Sequence, residues 1–132
     1  MVSKIQIATS YDKQLVDITD KVEELVKKLK IDEGLACIFV KHTTCSIIIS
    51  EIEDNLGKDI IKFLESKSPK GPFEHSHGDD SHTPAHILSA TIGPSAVIPV
   101  QKKVLQLGTW QKICLLELNG PRVREVIVQV LP

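Results

Sequence analysis

The chain has 132 residues, 42% of them hydrophobic and 25% charged, and a formal net charge of −1. That length fits one domain, residues 1–132, with a core of its own, and the balance is that of a soluble globular protein. There is no basic block for nucleic acid, no apolar run near the roughly 20 residues of a membrane helix, and no apolar signal-peptide stretch in MVSKIQIATSYDK, so a cytoplasmic protein with neither partner is expected.

Lys4–Thr9 alternates polar and apolar residues, which predicts a half-buried strand, and Gln14–Ile18 reads as its partner. Thr19 is placed to cap a helix whose Val22, Leu25, Val26 and Leu29 form one apolar stripe. Leu35–Val40 is almost continuously apolar, as in a strand covered on both faces, and Ser46–Ser50 is a second such run. A second helix carries Leu56, Ile60, Phe63 and Leu64; Ser50 to Glu53 has capping-box spacing, and Asp54 or Asn55 offers an alternative cap. A break from Ser66 to Pro72 leads to a histidine-rich loop. Pro84 suits the first turn of a short third helix, Ala85 to Thr91. Ala96–Val100, Lys103–Leu107, Ile113–Leu118 and Val123–Val130 read as further strands, the last two joined by an Asn119-Gly120-Pro121 turn. Tight connections favour antiparallel pairing. The expected fold is α+β, with about seven mainly antiparallel strands in a β-sandwich, two main helices and a short third.

Two polar islands interrupt this pattern. The stretch GPFEHSHGDDSHTPAHI holds His75, His77, His82 and His86 with Asp79 and Asp80, and HTTCS holds His42. Histidine is the commonest side-chain metal ligand, and zinc or a similar ion takes three or four imidazoles and carboxylates. His82 and His86 share a helix face only if the helix begins before His82; a start at Pro84 leaves His82 in the loop. His75 and His77 share a face if extended, and Glu51, Asp79 and Asp80 are further candidate ligands or acceptors for an imidazole N–H. Cys45 lies three residues after His42, an offset that on a strand puts the two side chains on opposite faces, so the pair reads poorly as a nucleophile and base. Cys37 and Cys114 sit in apolar runs and read as buried, reduced thiols.

His42-Thr43-Thr44 with the acidic cluster from Glu51, Pro84-Ala85-His86-Ile87, Gly93-Pro94-Ser95, Ile98-Pro99-Val100, Leu107-Gly108-Thr109-Trp110-Gln111, and Glu117 followed by Gly120-Pro121-Arg122 together resemble the YjbQ-like family, in order and spacing, over nearly the whole chain. The resemblance implies a trimer-forming α+β sandwich. It also implies an activity known for some members, secondary thiamine-phosphate synthesis, in which a hydroxymethylpyrimidine diphosphate is joined to a thiazole phosphate and diphosphate leaves.

Carried over position by position, the family's polar positions fall on His42, Thr43, Thr44, Glu51, His75, His86, Trp110, Gln111, Glu117 and Arg122, and of the histidines His42, His75 and His86 match that pattern, which makes them the preferred holders of a divalent metal ion, zinc or magnesium. At these matched positions Glu51, Glu117 and Arg122 are the candidate catalytic residues, and Thr43, Thr44, Trp110 and Gln111 the candidate substrate contacts. Arg122 is either an anion donor for the diphosphate or the ion-pair partner of Glu117, and Trp110 either a π-face for substrate or a packing residue. His82 stands where relatives tend to have Asp or Asn, and His77 has no firm counterpart. The pocket is expected to need a neighbouring subunit, with the His86 loop reaching that neighbour's HTT segment. A metal-dependent hydrolase and a non-enzymatic trimeric metal- or ligand-binding protein are the alternatives.

Overall fold

The periodicities of the chain become two sheets and three helices. The computed structural model describes residues 2–75 and 77–132. Among them, in order, are β1 (Val2–Ala8), β2 (Gln14–Asp17), α1 (Thr19–Lys28), β3 (Glu33–Val40), β4 (Cys45–Ser50), α2 (Asp54–Ser66), α3 (His82–Ile92), β5 (Ser95–Gln101), β6 (Val104–Leu105), β7 (Lys112–Glu117) and β8 (Val123–Leu131). The fold is α+β, with eight strands where about seven were expected. Ser76, inside the histidine-rich loop, lies outside the described residues.

All strand pairing is antiparallel, in a five-stranded sheet ordered β1-β8-β3-β5-β6 and a three-stranded sheet ordered β2-β7-β4. Two chain-adjacent pairs therefore separate. β2 is not the partner of β1 but crosses to β7, and β8 leaves β7 to pair with β1 and β3. The turn from Leu118 to Arg122 thus passes from one sheet to the other, and its side chains are held by both.

Alternation decides what each face buries. Val126, Val128 and Val130 of β8 join Ala36, Ile38 and Val40 of β3 and Ile113 and Leu115 of β7 in the core between the sheets, which α1 closes with Val22 and Val26. The other face of β7 presents Leu116, and Leu118 beyond it, to Leu64 of α2 and to Ala85 and Leu88 of α3. The three-stranded sheet is thereby sandwiched between the larger sheet and the helix pair. β3 corrects an expectation: its outer face is uncovered, with Leu35 48% and Phe39 41% exposed.

The helix starts are also set by contacts that differ from those expected. Thr19 is the first helical residue of α1 rather than its cap; its N–H donates to Asp17 Oδ1, and its hydroxyl accepts from Ile113 N–H. Glu53 caps α2, its carboxylate accepting from the N–H groups of Asn55 and Leu56. α3 begins at His82 rather than at Ala85. Asp79 Oδ1 accepts from Ser81 N–H, and its carbonyl accepts from His82 N–H, which turns the chain into the helix two residues before Pro84. Pro84 still lies in the first turn, where its missing N–H costs no intrahelical bond.

Candidate metal centre

The early start of α3 puts His82 on the helix, so His82 and His86 are four residues apart on one face. Their Nε2 atoms are 3.0 Å apart, and His75 from the preceding loop completes a set whose ligand atoms all lie within 4.8 Å of one another. Two nitrogens of a tetrahedral zinc site, each about 2.0–2.1 Å from the ion, are about 3.3–3.4 Å apart. The cluster therefore suits a divalent ion in donor type, and the spacing of His82 and His86 lies close to that of two such ligands. His75 and His86 are both held below the usual imidazole range, by desolvation first and then by the neighbouring imidazoles, which favours the neutral form that ligates metal. His77 stacks edge-on against His75, with ring centroids 4.0 Å apart, but stands outside the set of three.

Of the expected set of His42, His75 and His86, the structure brings His75 and His86 together with His82, and His42 stands outside that cluster. The reason is a proton. His42 Nε2 accepts a hydrogen bond from Glu125 N–H at 2.8 Å, so the neutral ring carries its hydrogen on Nδ1 and has no free lone pair for an ion. Burial first, and then the Arg124 guanidinium, depress its pKa and keep it neutral. His42 is nevertheless close by. It lines a cavity of about 290 Å³ with His86, and a second of about 620 Å³ with His82, Lys41 and Arg122. The two polar islands thus line common cavities within one chain. Ser89 of α3 secures this, its hydroxyl donating to the Cys45 carbonyl at 2.7 Å beside the HTT segment.

Glu117 is not placed to act on a substrate. It is fully buried, and its carboxylate accepts from Thr9 Oγ1 at 2.7 Å, Arg124 Nε at 2.9 Å, Arg124 Nη2, and the N–H groups of Leu118 and Asn119. Desolvation opposes its ionisation, but the hydrogen bonds from Arg124 and Thr9 prevail and hold the carboxyl below its ordinary value. Its ion-pair partner is Arg124, also buried, whose Nη2 further donates to the Thr44 carbonyl and hydroxyl. Arg122, for which that partnership was one of two readings, instead donates from Nε to the Asn119 carbonyl at 2.7 Å and from Nη2 to Asn119 Oδ1 at 3.1 Å. Gly120 is required between them: a Cβ there would come within 2.4 Å of the Tyr11 carbonyl oxygen and 2.8 Å of Glu117 Cγ.

The remaining expected positions divide. Thr43 is exposed on both cavities that His42 lines, while Thr44 is buried and bonded to Arg124. Glu51 lies apart from the histidines, in a cavity bounded by Leu15 and α2. Trp110 is 71% exposed in the β6–β7 connection, and Gln111 Oε1 accepts from Gly108 N–H to close that turn. Cys45 is buried, and desolvation pushes its thiol up to about 11, which removes it as a nucleophile at neutral pH. Arg124 and Asn119 were missed from sequence. Arg124 did carry a signal: it shares a strand face with Val126, Val128 and Val130, and an arginine on an apolar face needs a buried partner. Asn119 carried none beyond a turn propensity.

These features define a two-sheet α+β protein with a three-imidazole cluster at the N-terminus of a helix, open to a cavity bearing Lys41 and Arg122. The family model for UPF0047, YjbQ-like proteins matches residues 3–132, and the chain belongs to that family. It is 38% identical to a UPF0047 protein of Archaeoglobus fulgidus over 97% of this chain and 99% of that one. It is 39% identical to a UPF0047 protein of Methanocaldococcus jannaschii over 99% of this chain and 94% of that one. A YbjQ-like protein of unknown function from Sulfolobus solfataricus P2 superposes with a TM-score of 0.92 at 37% identity, covering 98% of this chain and 95% of that one. A hypothetical protein from Aeropyrum pernix K1 gives 0.92 at 36% identity, covering 99% and 98%.

Proposed function

We propose that this protein is a metal-assisted enzyme acting on a phosphorylated small molecule, with the thiamine-phosphate synthase reaction as its leading candidate. The observation that carries this reading is the convergence of His75, His82 and His86 beside a cavity lined by the cationic side chains of Lys41 and Arg122. In that reaction the bond from the pyrimidine methylene to diphosphate breaks, and a bond to the thiazole nitrogen forms. A bound divalent ion, zinc or magnesium, would supply charge neutralisation for the departing diphosphate. Arg122 supports the same task, since its Nη1 makes no hydrogen bond among the described residues while Nε and Nη2 are anchored. Thr43 and the Nδ1–H of His42 offer neutral donors on the same cavity wall.

The protein acts as a homotrimer in this reading. Support comes from the outer face of the five-stranded sheet, where Leu35 stands between Leu131 and Pro99 and Phe39 beside Ile127, apolar side chains that a second copy would cover.

A metal-dependent hydrolase is the second reading, supported by one observation: Asp79 and Asp80 line a cavity with His75, and a carboxylate there would be its base. Metal content per chain, measured on protein without a histidine tag, comes first, followed by product formation from the two thiamine precursors. Near-stoichiometric metal with product lost in Arg122→Ala supports the synthase. Turnover of simple phosphoesters, abolished by chelator and without condensation, moves the assignment to the hydrolase. No metal after reconstitution overturns both.

A further inference from the structure

The orientation of one side-chain amide decides what His82 can do. Arg122 has only donors, so the Asn119 side-chain atom that meets its Nη2 at 3.1 Å is the carbonyl oxygen. The other end of the amide agrees. Asn119 Nδ2 donates to Ser81 Oγ at 3.0 Å, and the Ser81 hydroxyl passes its own hydrogen to Asp79 Oδ1 at 2.7 Å. With Oδ1 so placed, the imidazole nitrogen facing it at 3.0 Å, His82 Nδ1, carries a hydrogen. The neutral ring then has its lone pair on Nε2, the atom 3.0 Å from His86 Nε2.

We propose that Asn119 and Arg122 are positioning residues that lock His82 in its Nδ1–H tautomer and so aim its Nε2 lone pair into the imidazole cluster. The proposal rests on the reading of His75, His82 and His86 as a metal site, and it adds the machinery that makes His82 a ligand. The relay is rigid by construction. Asn119 is 4% exposed, its own N–H is held by the Glu117 carboxylate at 3.2 Å, and its carbonyl accepts Arg122 Nε. The buried Glu117–Arg124 pair thus fixes the turn, the turn fixes the amide, and the amide fixes the proton on His82. Partners of this kind beyond the ligands orient metal-binding histidines and set their tautomers. A neutral imidazole with no acceptor at Nδ1 favours the Nε2–H form, which would present a hydrogen to the ion instead of a lone pair.

The test is long-range proton–nitrogen correlation NMR on metal-free protein labelled with nitrogen-15 histidine, above neutral pH, with His82 assigned by comparison with His82→Asn. The parent is expected to show a protonated Nδ1 and an unprotonated Nε2 at His82; the reverse pattern overturns the proposal before any variant is made. Asn119→Leu keeps the volume and removes the acceptor, so His82 should change to mainly Nε2–H. Zinc affinity, by competition with a chromophoric chelator, should fall about 10- to 100-fold in that variant. Asn119→Asp restores an acceptor and is expected to recover both the tautomer and most of the affinity, a rescue that a merely structural role would not give. An unchanged tautomer in a folded Asn119→Leu protein overturns the proposal. A parent with Nδ1–H at His82, altered in Asn119→Leu, that binds no zinc upholds the positioning role and overturns the metal reading.

Discussion

Glu117 of β7 and Arg124 of β8 form a buried ion pair that joins the two sheets. The two residues stand 2% exposed or less, and every polar contact that Glu117 makes is to a donor from the strands and turns around it. Removing one partner leaves an uncompensated charge in the core. Glu117→Ala and Arg124→Ala are each expected to lose about 3–5 kcal/mol of stability. Replacing both with hydrophobic residues should lose less than the sum of the two. Urea denaturation midpoints with a double-mutant cycle check this, and additive losses would refute the coupling.

The same pair makes stability depend on acid. The Glu117 carboxyl is held below its ordinary value near 4.5 in the folded protein. A group with a depressed folded pKa binds its proton more readily when unfolded, so its stabilising contribution is present above the unfolded value and is lost as pH falls through the folded one. Unfolding free energy should therefore decline as pH drops below about 4.5, and Glu117→Gln should flatten that part of the curve. An unaltered slope in the variant would place the acid sensitivity elsewhere.

His42 and His86 line a common cavity and are expected to behave differently. His82→Ala and His86→Ala should abolish near-stoichiometric zinc binding, because each removes one of three clustered ligands. His42→Ala should retain zinc, because the lone pair of its Nε2 is already used by Glu125 N–H. Its loss should appear instead as weakened binding of an anionic substrate. Elemental analysis of the three variants separates the cases; loss of metal in His42→Ala alone would restore that residue as a ligand.

Phe39 and Val97, 41% and 59% exposed, lie on the uncovered face of the five-stranded sheet. If copies meet there, Phe39→Asp or Val97→Asp buries a charge at the contact and should yield a smaller particle by light scattering after size exclusion, with an unchanged circular dichroism spectrum. A particle size unaffected by both changes would move the contact to another face.

Much of this protein was legible from local pattern. Alternation in Lys4–Thr9 and helical spacing in Val22, Leu25 and Val26 depend only on which residues share a face, and the elements formed where those patterns lie. The grouping of histidines near α3 was legible too, and His82 and His86 already had the spacing of helical neighbours. Whether they met depended on where the helix begins, which Asp79 and Ser81 decide through hydrogen bonds to backbone rather than through any apolar period.

What only the tertiary structure decided is pairing between distant positions. Sequence left Arg122 as either an anion donor or the partner of Glu117; the fold supplies Arg124 as that partner, since strand alternation turns its side chain into the core, while Arg122 stays exposed and bonds the buried Asn119. His42 looked like a ligand until Glu125, 83 positions away, took its lone pair. Periodicity constrains one element at a time, whereas a proton on an imidazole or the partner of a buried charge is set by whichever atoms the packed sheets bring within about 3 Å.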